Sequence, residues 1–247
     1  MSRKLYQFSI SHYCEKTRWN LDAKGLDYEI VELLPLWHRI ILWRIGGGTT
    51  VPVLQDGDKV IADSTRIANY LDDTYPERPL FPKEPGQRQL VFQLEDQFDN
   101  TARHIRRFMY GHMLQIPGSE QVMMRHLSPT MHKVGLTIAP VIRFSIRKNY
   151  RITPENIAKS LQKVRSTVQE IDSILNGDPN RYLVGNSLTM ADIAAASLFG
   201  PLLGPPNSPW EDIGAVPETI ANERSMILNR TFGKWVYNRY RLDRRRT

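Results

Sequence analysis

The stretch PERPLFPKEPG, residues 76–86, places four prolines and one glycine in eleven positions. Proline fixes φ and has no backbone N–H, so neither a helix interior nor an inner strand runs through such a segment. It dictates an extended connection that few contacts cross. The 247 residues are enough for one large core or two smaller ones. The proline stretch argues for two, predicting a first domain over residues 1–80 and a second over 87–247, with 76–86 as the linker.

The two sides of that linker read differently. Before it, KLYQFSI (4–10) has the aromatic and β-branched character of a short strand, and residues 14–24 form a helical segment stopped by Gly25. DYEIVEL (27–33) is again a strand, LWHRIILWRI (36–45) a helix closing on Gly46 to Gly48, and VPVLQDGDKVIA (51–62) a hairpin turning at Asp56-Gly57-Asp58. A helix from Ser64 ends before Pro76. The order is β-α-β-α-β-β-α, a compact α/β unit.

After the linker nearly every segment is helical: about 87–115, about 120–149 with interruptions at Pro129 and Pro140, 154–176, 189–202 and about 217–239. The clearest pattern is Ile157, Leu161, Val164, Val168, Ile171 and Leu175, whose alternating steps of four and three put them on one helix face. The segments NGDPNRYLVGN and GPPNSPWEDIG read as polar or Pro/Gly-rich connections.

Composition narrows the functional classes. With 41% hydrophobic and 24% charged residues and a mean hydropathy of −0.41, the chain is that of a soluble globular protein. It shows neither a secretory leader nor an apolar run of about 18 residues, so a cytoplasmic location is expected. One cysteine, Cys14, permits no intramolecular disulfide and no cysteine-rich zinc site. The formal charge of +7 is largely local, in RFSIRKNYR (143–151) and the tail NRYRLDRRRT (238–247). Both read as solvated or anion-attracting surface, since no nucleic-acid motif accompanies them. Phe144, Ile146 and Tyr150 make the first run mildly amphipathic, as a segment lying on an anionic membrane surface would be. The six histidines, at 12, 38, 104, 112, 126 and 132, lack metal-site spacing, and neither a nucleophile-elbow serine motif nor a P-loop occurs.

Four stretches remain that could carry chemistry. Ser11 stands at a strand-to-helix junction, where unpaired N–H groups favour a thiolate or carboxylate, although an ordinary capping serine looks the same. Pro52 opens a strand; a cis Val51–Pro52 bond would turn the Val51 backbone toward an extended ligand. Asp63-Ser64 precedes an apolar-periodic helix and can both cap it and hold a ligand carboxylate. Thr189 and Asp192 have capping-box spacing and should nucleate a buried helix.

In order and spacing, the S-x-x-C junction followed by EKTRWNLDAKGLDYE, the VPVL strand, the DS helix start, the proline-rich linker and the LTMADI box resemble the cytosolic glutathione S-transferase superfamily, in its serine- and cysteine-type, bacterial-like branch. The resemblance spans nearly the whole chain. It implies an α/β plus all-α protein, with a thioredoxin-like glutathione-binding domain followed by an all-helical C-terminal domain. It further implies glutathione as co-substrate without a metal, a small hydrophobic electrophile, a homodimer, and a role in detoxification with no nucleic-acid partner. The catalytic position of the pattern, four residues before the Glu of E-[KR]-T-R, is Ser11, and Cys14 falls on the second cysteine of a glutaredoxin-like C-x-x-C. Val51 and Pro52 match the site that pairs with the cysteinyl unit of glutathione, and Asp63 with Ser64 the pair that holds its γ-glutamyl end. His38, Arg39 and Arg44 are candidates for the glycyl carboxylate, and Phe108, Met109 and Met113 for the electrophile's side of the cleft. Two alternatives accompany this reading: thiol–disulfide exchange or peroxide reduction through Cys14, and a ligand-binding protein without turnover.

Overall fold

The computed structural model describes residues 3–244, the side chain of residue 120 apart. Met1, Ser2 and the last three residues of the basic tail lie outside the described residues. The first part of the chain runs β1 (Arg3–Gln7), α1 (His12–Lys24), β2 (Glu29–Glu32), α2 (His38–Arg44), β3 (Val53–Asp56), β4 (Lys59–Ala62) and α3 (Ser64–Thr74). The four strands form one sheet in the order β2-β1-β3-β4, with β1 parallel to β2, antiparallel to β3, and β3 antiparallel to β4. This is a thioredoxin-like unit in the element order read from the sequence. Helix α1 stops where glycine allows it: Gly25 takes the left-handed conformation (φ 67°) and its N–H donates to the Asp22 and Leu21 carbonyls.

The second part is helical: α4 (Pro85–Met113), a 3-10 segment (Ser119–Met124), α5 (Pro129–Asn149), α6 (Pro154–Leu175), α7 (Met190–Leu203), α8 (Glu218–Leu228) and α9 (Thr231–Leu242). Helix α7 is buried along almost its whole length and packs against α1, α4, α8 and α9. Trp19 and Ala68, from α1 and α3, share one hydrophobic cluster with α4, α6, α7 and α9. The stripe foreseen on α6 is the buried face: Val164, Val168, Ile171 and Leu175 are within the core, and Ile157 and Leu161 pack at its edge.

Three boundaries differ from the sequence reading. Helix α4 starts at Pro85, because proline suits the first helical turn and the Glu84 carboxylate accepts from the N–H groups of Gly86 and Gln87 at 2.8 and 2.6 Å. Pro140 does not interrupt α5; it is exposed, so the carbonyl it leaves unpaired on the preceding turn faces water. The segment 217–239 is two helices. Gly233 lies so close to the end of α8 that a Cβ there would sit 2.1 Å from the Ile227 carbonyl oxygen, and this approach folds α9 back on α8.

Candidate functional site

The N-terminus of α1 is shaped by its own first residues. Ser11 is the N-cap, in extended backbone, and its Oγ accepts from the Cys14 N–H at 3.4 Å. A hydroxyl has one donor hydrogen and two acceptor lone pairs, so capping uses an acceptor position of Ser11 and not its donor hydrogen. The loop before it is pinned by Glu32, whose carboxylate accepts from the Ser9 N–H at 2.6 Å and from Gln7 at 3.1 Å. Arg18 adds a bond to the Ser9 carbonyl at 2.9 Å.

The EKTR residues that follow are structural ties. Glu15 is buried between Arg18 and Arg244; burial works against its charge, but the two guanidinium groups outweigh it and hold the carboxyl below its ordinary range. Lys16 is fully buried and bonded to Glu95, to Asp99 at 2.8 Å and to Thr65 at 3.4 Å. Burial disfavours its ammonium, yet the two carboxylates raise its pKa and keep it charged. These bonds join α1 to α3 and α4 and set where Ser11 stands. The basic tail is used the same way: Arg244 pairs with Glu15 and Asp22, and the buried Arg239 pairs with Asp243 and lies over the Tyr182 ring. The described part of this tail is therefore not simply solvated surface.

Ser11 lines a cavity of about 290 Å³, whose walls are mostly apolar. One wall is the loop Phe8 to Tyr13, another is Pro35 to Arg39 with Thr49 to Val51, and the third comes from α4 and α5, closed by Trp210. Its size is at the low end for small-molecule sites. The sequence-predicted residues divide around it. Ser11 and Val51 line it, as do His38 and Arg39, whereas Arg44 does not. The Val51–Pro52 bond is cis. Pro52, Asp63 and Ser64 do not line the cavity; the Asp63 N–H donates at 3.4 Å to the carbonyl of Pro52, which follows the lining residue Val51. Asp63 caps α3 through Oδ1, which accepts from Thr65 and Arg66 at 3.0 and 3.1 Å, with the backbone at φ 79°; Ser64 is buried.

Cys14 is fully buried and outside the cavity lining, and burial pushes its thiol up to about 11. Met109 and Met113 line the cavity, while Phe108 turns into the core beside His112. The sequence reading missed Arg106 and Tyr110, although with Met109 and Met113 they complete an i, i+3, i+4, i+7 face of α4. Tyr150 and Trp210 were missed too, and for Trp210 no local signal existed. Its segment reads as a connection, but its indole N–H donates to the Ile10 carbonyl at 3.2 Å and its ring packs on Gly200 of α7, where a Cβ would lie 2.3 Å away.

Residues 5–79 match the family described as glutathione S-transferase, N-terminal domain. A curated relative, glutathione S-transferase Z2 of Arabidopsis thaliana, is 41% identical over 93 residues, which are 36% of this chain and 42% of that protein. The crystal structure of a glutathione S-transferase from Rhodospirillum rubrum is 25% identical and superposes with a TM-score of 0.59, covering 93% of this chain and 90% of that one. The first part of the chain thus matches a glutathione S-transferase N-terminal domain, and the chain as a whole is similar to glutathione S-transferases. A further transferase of this fold, from Ceriporiopsis subvermispora and solved in complex with glutathione, is 22% identical with a TM-score of 0.58, covering 94% of this chain and 97% of that one. The curated match covers less than half of the Arabidopsis transferase's length. The cavity is bordered by residues of the matched 5–79 segment on one side and by α4 and α5 on the other.

Proposed function

We propose that the protein is a glutathione transferase that joins the glutathione thiolate to electrophilic small molecules, with Ser11 stabilising the thiolate. The observation that carries this reading is the Ser11 hydroxyl at the start of α1 in the wall of a mostly apolar cavity. A free thiol titrates near 8.5, and lowering that by about two units needs roughly 2.7 kcal/mol of preferential thiolate stabilisation. One hydrogen bond to a charged acceptor supplies about 1.5–3 kcal/mol and a helix N-terminus about 0.3–2. The neighbouring Tyr13 hydroxyl is not available for this, since it donates to the Asp99 carbonyl at 3.1 Å.

In this reading Val51 pairs with the cysteinyl backbone, Pro52 shapes that edge, and Asp63 with Ser64 takes the γ-glutamyl end. His38 and Arg39 are placed for the glycyl carboxylate better than Arg44, because only they line the cavity. The sulfur attacks the electrophilic carbon, a C–S bond forms, and the leaving group departs with the electron pair while the thiol proton passes to solvent. Residues 1–80 serve as the glutathione-binding domain and 87–247 as the helical domain, in a cytoplasmic, dimeric detoxification enzyme. The alternative through Cys14 requires a thiolate that attacks a disulfide, and a fully buried thiol titrating near 11 is a poor source of one.

Assay of the wild type, Ser11→Ala and Cys14→Ala with 1-chloro-2,4-dinitrobenzene tests the reading. Conjugation falls in Ser11→Ala and persists in Cys14→Ala; the opposite order sinks it, and absence of heat on calorimetric titration with glutathione sinks both enzymatic readings. Light scattering that returns a concentration-independent monomer removes the dimer.

A further inference from the structure

No Asp or Glu lies among the described residues that line the cavity, yet two arginines do, Arg39 and Arg106. Arg39 is exposed on α2, as a rim residue would be. Arg106 is half-buried on α4, and its guanidinium carbon lies 4.2 Å from the Tyr150 ring centroid and 5.7 Å from that of Tyr13. Its Nε is buried without a hydrogen-bond partner, and among the described residues it has no ion pair. The next residue shows the contrast. Arg107 donates to the Tyr150 carbonyl at 2.7 Å and to Ser160 at 3.1 Å, so its donors are committed within the protein.

A second polar group faces the same space. His12 is 4% exposed, lines the cavity, and neither of its ring nitrogens completes a hydrogen bond, although the Leu198 carbonyl is close enough to favour the protonated ring. Burial, reinforced by the Arg106 charge, keeps the imidazole neutral. A half-buried cation whose Nε is sealed without a partner, near a buried neutral imidazole and with no carboxylate among the described lining residues, gains when a ligand completes it. Stacking on aromatic faces leaves the edge of a guanidinium open, and that edge matches a planar carboxylate through two parallel N–H donors. One arginine balances one negative charge, which fits a carboxylate better than a dianionic phosphate.

We propose that the electrophile carried by this cavity is an apolar molecule bearing a carboxylate, and that Arg106 binds that carboxylate. The inference rests on glutathione occupying the Ser11 end, and it makes Arg106 the residue that sets substrate choice. Arg106 reaches the ring of Tyr13, two residues from Ser11, so the bound acid keeps its reacting carbon in the part of the cavity where the sulfur arrives.

The test uses two matched pairs on the full chain. For turnover the pair is 4-chloro-3-nitrobenzoate and its methyl ester. In both, the sulfur bonds to the carbon that bears chlorine, chloride leaves with the electron pair, and the thiol proton goes to solvent. For binding without reaction the pair is 4-methyl-3-nitrobenzoate and its methyl ester, titrated by calorimetry in the absence of glutathione. Wild type prefers the acid over the ester by about tenfold or more, the scale of a charge-assisted pair. Arg106→Gln abolishes that preference in both measurements, and Arg106→Lys, which keeps the charge, retains part of it. Near-ultraviolet circular dichroism of both variants checks that the fold is intact. Equal binding of acid and ester by wild type overturns the proposal, as does an acid preference that survives in Arg106→Gln. If Arg106→Gln instead weakens glutathione binding while the acid preference stays, Arg106 serves glutathione's own carboxylate and the proposal fails. Loss of glutathione binding in wild type with the acid preference intact supports the carboxylate site and sinks the transferase reading alone.

Discussion

The two faces of the first helix treat charge in opposite ways. On the face turned to the rest of the fold, Glu15, Lys16 and Arg18 are buried and each meets its counter-charge: Arg18 and Arg244 around Glu15, and Glu95 with Asp99 around Lys16. On the side turned to the cavity, Ser11 presents its hydroxyl and His12 has ring nitrogens that complete no hydrogen bond, and facing them from α4 the Arg106 Nε is buried without a partner. The difference teaches where binding energy can come from. Groups already satisfied within the protein hold geometry, whereas unsatisfied groups in an apolar wall are the ones a ligand completes.

The largest break of that contrast is Lys16→Met. It leaves Glu95 and Asp99 buried without their cation, so the unfolding free energy from urea titration should fall by about 3–5 kcal/mol. A loss under about 1 kcal/mol would show that the paired face contributes little. On the other face, Ser11→Ala removes the donor proposed for the ligand's sulfur, and kcat/KM for conjugation should drop by about 10–100-fold, matching the roughly 1.5–3 kcal/mol of a bond to a charged acceptor. Its effect on stability is that of a lost N-cap, about 0.5–2 kcal/mol, so unfolding and turnover measured together separate cap from catalyst. Gly200→Ala probes the wall itself. The new methyl meets the Trp210 ring, so a cost of about 1–3 kcal/mol in stability is expected, together with a shift in Trp210 fluorescence.

A further effect is one of pH. Asp192 is buried like Glu15, but its acceptor bonds come from the Leu183 and Thr189 N–H groups and the Thr189 hydroxyl, with Arg239 only a minor influence, and burial raises its carboxyl to about 6. Above its unfolded value near 3.9 the folded state holds a proton that the unfolded state has lost. Stability from this group is therefore full below about pH 4 and declines as pH rises toward 6. Asp192→Asn should flatten that slope in urea titrations between these pH values, and an unchanged slope would assign it to other groups.

Much of the fold was legible because local rules wrote it. The Gly25 stop, the Asp56-Gly57 turn and the stripe on α6 each follow from a few neighbouring residues. The turn between α8 and α9 was not, because Gly233 matters only once the end of α8 lies against it. The site divides along the same line. Ser11 was readable from its junction and Val51 from its proline, while the choice between cavity and core for Phe108, Met109 and Met113 was not, because a local apolar pattern does not say which side faces a cavity.

The sequence by itself determined the α/β order, the helical second half and the strand-to-helix junction at Ser11, since propensity, turn chemistry and periodicity act over one or two turns. Only the tertiary structure decided that Cys14 is sealed and Ser11 is open, that Arg244 returns to Glu15 from 229 positions away, and that Arg106, Tyr150 and Trp210 meet around one cavity. Burial and long-range pairing are set by which elements pack together, and no window of neighbouring residues contains that information.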